Sequence, residues 1–113
     1  MSETQLSADI RQALGKLGVW VLRIQSGKIP AYYNGRVRYI HCAEPGTPDL
    51  FCPALNLWLE VKTPAGRLSK EQRAWHAKAK RLGVVVVVVR SVRAAVEVAR
   101  AQRSLAFIRR LTA

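Results

Sequence analysis

Residues 84–89 are six consecutive valines, and this run limits the possible folds more than any other stretch of the chain. β-branched side chains favour extended backbone, and a run without polar alternation predicts a strand that is buried on both faces. Such a strand needs a mixed or parallel sheet with helices packed on either side. The rest of the chain must therefore supply those helices and the neighbouring strands.

Two helices are predicted around the valine run. Residues 69–82 form the first, because Ser69 and Gln72 make a capping box and Gly83 follows the last turn. We expect Trp75 and Leu82 on its buried side. A second helix begins at Ser91 and is followed by a separate short segment at residues 105–108. The residues expected to face inward on this second helix are Val92, Ala95, Val96 and Ala99.

The first part of the chain predicts a helix, a strand and a hairpin. Residues 2–17 form the helix, which Gly18 ends, and residues 19–24 form the strand. The apolar stripe of the helix consists of Leu6, Ile10, Leu14 and Leu17. Residues 31–40 form the hairpin, since Asn34-Gly35 is the strongest two-residue turn signal.

Two further strands carry the acidic residues that suggest chemistry. Residues 57–62 alternate strictly in the order Leu57, Trp58, Leu59, Glu60, Val61 and Lys62. Glu60 and Lys62 therefore share one face of a strand. The preceding run, Gly46-Thr47-Pro48-Asp49-Leu50-Phe51, is joined to it by turn-prone residues, and a reversal centred on Ala54 and Leu55 places Asp49 opposite Glu60. Two neighbouring carboxylates repel each other unless a cation, most simply a divalent metal ion, offsets the repulsion.

This order of elements predicts an α/β fold with a central mixed sheet flanked by helices. The length of 113 residues fits one domain, spanning residues 1–113, with a single core. A third acid belongs to the first helix: Glu3 lies three residues before Leu6, on the core-facing side, whereas Asp9 falls off that side. Glu3 either contributes to a site or only complements the helix dipole.

The charge of the chain points to a polyanionic partner. Nineteen Lys and Arg against seven Asp and Glu give a formal net charge of +12. Because these basic residues run through the whole chain, nucleic acid is the expected partner. Tyrosines such as Tyr32 and Tyr33 lie among them, where base stacking and ordinary cross-strand packing explain them equally well. The candidate DNA-binding residues are Arg23, Lys28, Arg36, Arg38, Arg67, Lys70 and Arg73.

Composition also argues against several other classes of protein. The first residues are polar and acidic, unlike a secretion signal, and the longest apolar run is far shorter than a membrane helix. We therefore expect a cytoplasmic protein, in a bacterium or a phage-infected cell, that uses no membrane. Without export, Cys42 and Cys52 are expected to be reduced thiols. Together with His41 and His76 they lack zinc-binding spacing.

The ordered motifs resemble the PD-(D/E)xK nuclease superfamily, and more narrowly its VRR-NUC family, the virus-type replication-repair nuclease domain. The signature residues are Gly46-Thr47-Pro48-Asp49, then Glu60-Val61-Lys62, then Gln72. Supporting matches are Glu3, Arg23-x-x-Ser26-Gly27, Thr63-Pro64-x-Gly66-x-Leu68-Ser69 and the valine strand followed by Arg90-Ser91. The resemblance spans nearly the whole chain and implies a restriction-endonuclease-like αβββαβ core.

The resemblance implies a metal-dependent catalytic site. Asp49, Glu60, Lys62 and Gln72 are the expected catalytic residues. Mg²⁺ or Mn²⁺ would be held by Asp49, Glu60 and the Val61 backbone carbonyl, with Glu3 or, in its place, Asp9 as a further ligand. Lys62 would orient or deprotonate the attacking water, unless it is simply a surface lysine. Gln72 would position water or phosphate, although its capping box explains it as well.

The resemblance also implies substrate and assembly. Stand-alone members of this family cut branched DNA such as Holliday junctions as homodimers, and no small-molecule cofactor is expected. Trp20, Tyr32, Tyr33 and Phe107 are the candidate interface residues. The alternative is a basic nucleic-acid-binding module that does not cleave. Such a module has no need to keep Asp49, Glu60 and Lys62 together.

Overall fold

A four-stranded mixed sheet forms the centre of the computed structural model, which describes residues 1–24, 28–41 and 43–112. The strand order is β1-β4-β5-β6, in which β5 and β6 are parallel and the other two pairings are antiparallel. The elements are α1 (Glu3–Lys16), β1 (Leu22–Arg23), β2 (Lys28–Tyr33), β3 (Arg36–His41), β4 (Leu50–Cys52), β5 (Leu57–Val61), α2 (Lys70–Arg81), β6 (Val85–Val89) and α3 (Val92–Thr112). The predicted α/β class with a mixed sheet is confirmed.

The core lies between one face of this sheet and helices α1 and α3. Leu57, Leu59 and Val61 are fully buried there, as the alternation of β5 predicts. Removing each of these side chains from water stabilises the fold by about 1.5–3 kcal/mol. The predicted stripe of α1 and the inward residues of α3 cover them, and the buried members are Leu6, Ile10, Leu14, Ala95 and Ala99. Helix α2 therefore covers the opposite face of the sheet, where Trp75 packs on Trp58 with ring centroids 5.2 Å apart.

The valine strand differs from its prediction in burial. Only Val89 is buried, and the valines of β6 before it are half-buried. The reason is topological, because β6 pairs with β5 alone within the described sheet and so lies at its edge. An unbroken apolar run predicts that helices pack on both faces of the strand. It does not indicate whether the strand lies inside the sheet or at its edge.

Two predictions about the helices are wrong. Leu82 is 68% exposed, because it is the C-cap of α2 and lies beyond the last turn that packs on the sheet. Residues 105–108 do not form a separate segment, since α3 continues without interruption to Thr112. The C-terminal half of α3 nevertheless exposes Leu105 and other apolar side chains, which explains why its sequence does not look like a core helix.

The predicted hairpin is present but stands apart from the central sheet. Strands β2 and β3 pair only with each other among the described residues, and both Asn34 and Gly35 have positive φ angles, as the turn requires. The first strand is shorter than predicted, with Leu22–Arg23 instead of residues 19–24. The predictions for Ser26, Gly27 and Cys42, and those for the side chains of Lys28, Tyr32, Tyr33 and Tyr39, lie outside the described residues and side chains.

Candidate active site

Glu60 is the most unusual residue of the site, because its carboxylate is completely buried in the sheet. Its Oε1 lies 3.2 Å from His76 Nε2, whereas its Oε2 is buried without a hydrogen-bond partner among the described residues. The pKa of Glu60 is raised to about 9, first by burial and then by the neighbouring Asp49, while the positive charge of Lys62 opposes the shift. A buried carboxylate with an unpaired oxygen is costly unless a proton or a cation joins it.

Asp49 lies beside Glu60, where pairing between β4 and β5 ends. Because Leu50 pairs with Leu59, Asp49 is the next residue in register with Glu60, as predicted. The backbone ladder ends at the Leu50–Leu59 pair, and the Asp49 side chain continues it, because Val61 N–H donates to Asp49 Oδ2 over 2.8 Å. The carbonyl of Val61 points to the same side of the strand as its N–H group, toward β4.

Lys62 follows the last residue of β5 and is only 8% exposed. The interpretation as an ordinary surface lysine is therefore wrong. Its Nζ lies 4.0 Å from Glu3 Oε2, an ion pair that joins the first turn of α1 to the end of β5. Glu3 also raises the pKa of Glu60, after the effects of burial and of Asp49. Three acids and one lysine thus converge at this end of the sheet.

Of the two acids considered on α1, only Glu3 belongs to this group. Asp9 Oδ1 accepts a hydrogen bond of 2.9 Å from Gln5 Nε2 on the surface of the helix. It does not line the cleft that Glu3 and Asp49 share. The helical spacing from Leu6 therefore selected the acid that lies at the site.

His76 is the residue that sequence reasoning missed. Its pKa is lowered, first by burial and then by the positive charge of Lys62, so the ring is neutral near pH 7. A neutral ring can donate one hydrogen bond through Nε2 to a carboxylate, or accept one there from a carboxylic acid. The available signal was its position four residues after Gln72, which places both on one side of α2.

Gln72 serves the capping box in this structure. Its Oε1 accepts from Ser69 N–H over 2.8 Å, and Gln72 N–H donates to Ser69 Oγ over 3.1 Å. This contact fixes the start of α2 and so the position of His76 one turn later. The structure therefore supports the capping interpretation of Gln72, and any contact with water or phosphate remains a prediction.

A glycine turn fixes the segment that carries Asp49 against α2. Gly46 has φ +87°, and a Cβ at this position would overlap the backbone carbonyl of Glu71. Thr47 is buried in the same turn, and its N–H donates to Glu44 O over 3.1 Å. Only glycine allows both this backbone conformation and the close approach to the helix. The Gly46-Thr47-Pro48 sequence thus holds Asp49 in place.

Arg90 performs a similar task for the loop after Lys62. Its guanidinium Nη1 donates to Thr63 O over 2.8 Å and to Gly66 O over 2.6 Å. Because Arg90 follows β6, these contacts tie the loop to the strand parallel to β5. Arg90 therefore holds the backbone of the Thr63-Pro64-x-Gly66 motif in place beside Lys62.

The predicted DNA-binding residues do not form one group. Arg23 lines a cleft of about 210 Å³ with Glu3 and Asp49, next to the acids. Arg67, Lys70 and Arg73 are exposed before and within the first turns of α2. Arg36 and Arg38 are exposed on β3, in the separate hairpin sheet. The side chain of Lys28 lies outside the description.

The donor set fits a hard divalent cation, although the side chains are held by protein partners. Within residues 1–24, 28–41 and 43–112, no three His, Cys, Asp or Glu side chains already surround a common point. Asp49 Oδ2 bonds to Val61 N–H and Glu60 Oε1 contacts His76, which leaves Glu60 Oε2 as the unpaired oxygen. Carboxylate oxygens are the ligands that Mg²⁺ and Mn²⁺ prefer.

In the described part of the chain, no helix has both the length and the apolar character needed to cross a membrane. Comparisons of the chain with models of protein families, with curated proteins and with solved structures each found no match.

Proposed function

We propose that this protein is a metal-dependent endodeoxyribonuclease of the PD-(D/E)xK type, built on a restriction-endonuclease-like core. One observation carries the proposal: Glu60 is fully buried with an unpaired Oε2, while Asp49 and Lys62 lie beside it. A fold gains no stability from such a group, and perturbed carboxylates beside a lysine are typical of catalytic sites. The order of α1, β1, β4, β5, α2 and β6 agrees with an αβββαβ core.

Asp49, Glu60 and the Val61 carbonyl are the proposed ligands of Mg²⁺ or Mn²⁺, with Glu3 as a further ligand. When bound, the ion supplies charge neutralisation for the acids and polarises a phosphate oxygen. Asp49 must exchange its contact with Val61 N–H or bind through its other oxygen. Glu60 can bind through Oε2 without losing His76. His76 is thus assigned to orient the Glu60 carboxylate, as residues behind metal ligands commonly do.

Lys62 acts on the water and on the phosphate. An ammonium group donates hydrogen bonds and accepts none, so its proposed task is to orient the attacking water and stabilise the growing negative charge. The water oxygen forms a bond to phosphorus and releases a proton to solvent, one P–O ester bond breaks, and the leaving oxygen takes up a proton from solvent. Glu3 holds the ammonium at the site through their 4.0 Å ion pair.

The substrate proposed is branched DNA, such as a Holliday junction, cut by a homodimer. A net charge of +12 favours a nucleic-acid backbone, and two sites related by a two-fold axis can nick two strands symmetrically. Trp20 and Phe107 are 62% and 56% exposed, which keeps both as interface candidates. Sedimentation at micromolar concentration tests the dimer, and a monomer there would contradict it.

The direct test is a panel of labelled four-way junction, flap, single-stranded and linear duplex DNA with Mg²⁺, Mn²⁺, Ca²⁺ or EDTA. We expect cleavage with Mg²⁺ or Mn²⁺, strongest on branched DNA, and none in EDTA. Binding without cleavage of any substrate would favour the second candidate, a basic nucleic-acid-binding module. The observation that favours this second candidate is that one oxygen of each acid, Asp49 Oδ2 and Glu60 Oε1, already has a protein partner.

A further inference from the structure

We infer that the cleft between α1 and β1 binds a second phosphate of the DNA backbone, flanking the one that is cut, and that Arg11 is its principal ligand together with Arg23. This inference rests on the proposed function, since it extends the same site along the DNA. The cleft has a volume of about 210 Å³. Its lining residues are Glu3, Thr4, Ser7, Arg11, Arg23, Ile24 and Asp49.

Arg11 is unsatisfied in the free protein. Its Nε is buried and has no hydrogen-bond partner among the described residues. A guanidinium is always charged and presents a planar fork of donors that matches the oxygens of a phosphate. An inward donor without a partner costs free energy in the fold, which a bound anion would recover. Arg11 therefore resembles Glu60, since each is an ionisable side chain with a buried polar atom left unpaired.

The geometry of α1 places Arg11 at a set distance from the metal ligands. Glu3, Ser7 and Arg11 follow each other at four-residue steps, so they share one side of the helix. At 1.5 Å per residue, Arg11 lies about 12 Å beyond Glu3 along the axis. One DNA strand rises about 3.4 Å per nucleotide. Arg11 is thus placed for a phosphate a few nucleotides from the cut and not for the scissile phosphate itself.

Strand β1 brings Arg23 to the same cleft. Arg23 pairs with Leu50, whose side chain is buried against α1 and α3, so Arg23 projects toward the α1 side of the sheet. The next residue, Ile24, donates its N–H to Asp49 O over 2.8 Å, which links the cleft to the acidic end. Two arginines oppose two acids here, and the hydroxyls of Ser7 and Thr4 add donors for phosphate oxygens.

The division of charge along the cleft explains why the acids do not repel this phosphate. Glu3 belongs to the first turn of α1 and faces Lys62, whereas Arg11 belongs to the third turn. The acidic end therefore suits a cation and the arginine end suits an anion. A continuous DNA strand provides phosphates to both ends at once. A single small anion would occupy only the arginine end.

The experiment measures DNA binding in Ca²⁺, with a fluorescent duplex and junction that carry one neutral methylphosphonate at successive backbone positions. The variants are Arg11→Gln and Arg11→Lys, and Arg100→Gln on exposed α3 is the matched control for loss of one charge. We expect Arg11→Gln to weaken binding about tenfold and to reduce the salt slope by about one. Arg100→Gln should leave both nearly unchanged.

The position scan decides the inference. One methylphosphonate, a few nucleotides from the cut, should weaken binding of the wild type about tenfold and that of Arg11→Gln not at all. Arg11→Lys should keep the salt slope but lose part of the affinity, because it keeps the charge and loses the fork. An Arg11→Gln scan with the wild-type pattern would overturn the inference, as would unchanged affinity.

Two controls separate the possible failures. If Arg11→Gln does not fold, Arg23→Gln is used instead, because it removes an exposed arginine of the same cleft. Binding by Arg23→Gln should no longer be weakened by a methylphosphonate at that position. Binding that is still weakened there would overturn the inference. Cleavage by the wild type in Mn²⁺ is measured in parallel. Wild-type protein that binds DNA with this pattern but never cleaves would contradict the nuclease and leave the phosphate site standing. Wild-type protein that cleaves DNA, but whose binding shows no backbone position that depends on Arg11, would support the nuclease and contradict the phosphate site.

Discussion

Leu59 and Glu60 lie on opposite faces of β5 and are both fully buried, but at opposite energetic cost. On one face Leu59 and its neighbours pack against α1 and α3 and stabilise the fold. On the other face Glu60 is equally buried, yet it has an unpaired oxygen and a pKa raised to about 9 by burial and by Asp49. One face of this strand thus carries residues that stabilise the fold, and the other carries a residue whose burial costs stability. That difference is the main physical argument for a function.

The largest expected effect lies on the polar face. Asp49→Asn should lower cleavage more than about 100-fold, because it removes a proposed metal ligand. The amide oxygen can still accept from Val61 N–H, so the fold should remain. DNA binding should be equal or tighter, since a negative charge leaves a cationic surface. The assay compares single-turnover cleavage with binding in Ca²⁺.

A matched variant controls for the charge change. Glu97→Gln removes an exposed acid on α3 and should leave cleavage unchanged. Parallel loss of binding and cleavage in Asp49→Asn would instead assign Asp49 a structural role.

The apolar face should respond in stability and not in chemistry. Leu59→Ala opens a cavity at a fully buried position and should lower the free energy of unfolding by about 3 kcal/mol. Leu82→Ala, at an exposed position, should change it by less than about 0.5 kcal/mol. Urea denaturation measures both. Similar losses for the two variants would mean that the core does not lie where described.

His76 tests whether Glu60 needs its protein partner. His76→Ala should reduce cleavage about 10- to 100-fold and raise the Mn²⁺ concentration needed for half the maximal rate. His76→Gln, whose amide N–H can replace Nε2, should recover part of both. An unchanged Mn²⁺ dependence in both variants would show that His76 does not orient Glu60.

The pH dependence of stability isolates the cost of Glu60. Its pKa rises from 4.5 in the unfolded chain to about 9 in the metal-free fold, so the folded state holds the proton more tightly. This tighter proton binding stabilises the folded state fully below pH 4.5, and the stabilisation is lost as the pH rises through about 9. Relative to Glu60→Gln, wild-type protein in EDTA should lose about 4 kcal/mol between pH 5 and pH 8, at about 1.4 kcal/mol per pH unit. A difference that does not vary with pH would exclude this origin.

Much of this arrangement could be predicted from the sequence, because alternation and caps act locally. The period of two in β5 separated Leu59 from Glu60, and the capping box located the start of α2. The edge position of β6 could not be predicted, since strand order depends on contacts distant in sequence. The side of α2 on which His76 lies follows from helical spacing, but its partnership with Glu60 joins residues 16 apart and does not.

Glu60→Gln provides the most direct test of the central claim, that a buried acid is kept at the expense of stability because it acts on DNA with a metal ion. The melting temperature in EDTA at pH 8 and the cleavage of a four-way junction in Mn²⁺ are measured on the same preparations. We predict that the variant melts at a higher temperature than the wild type and does not cleave. A variant that melts lower, or one that still cleaves at the wild-type rate, would contradict the claim.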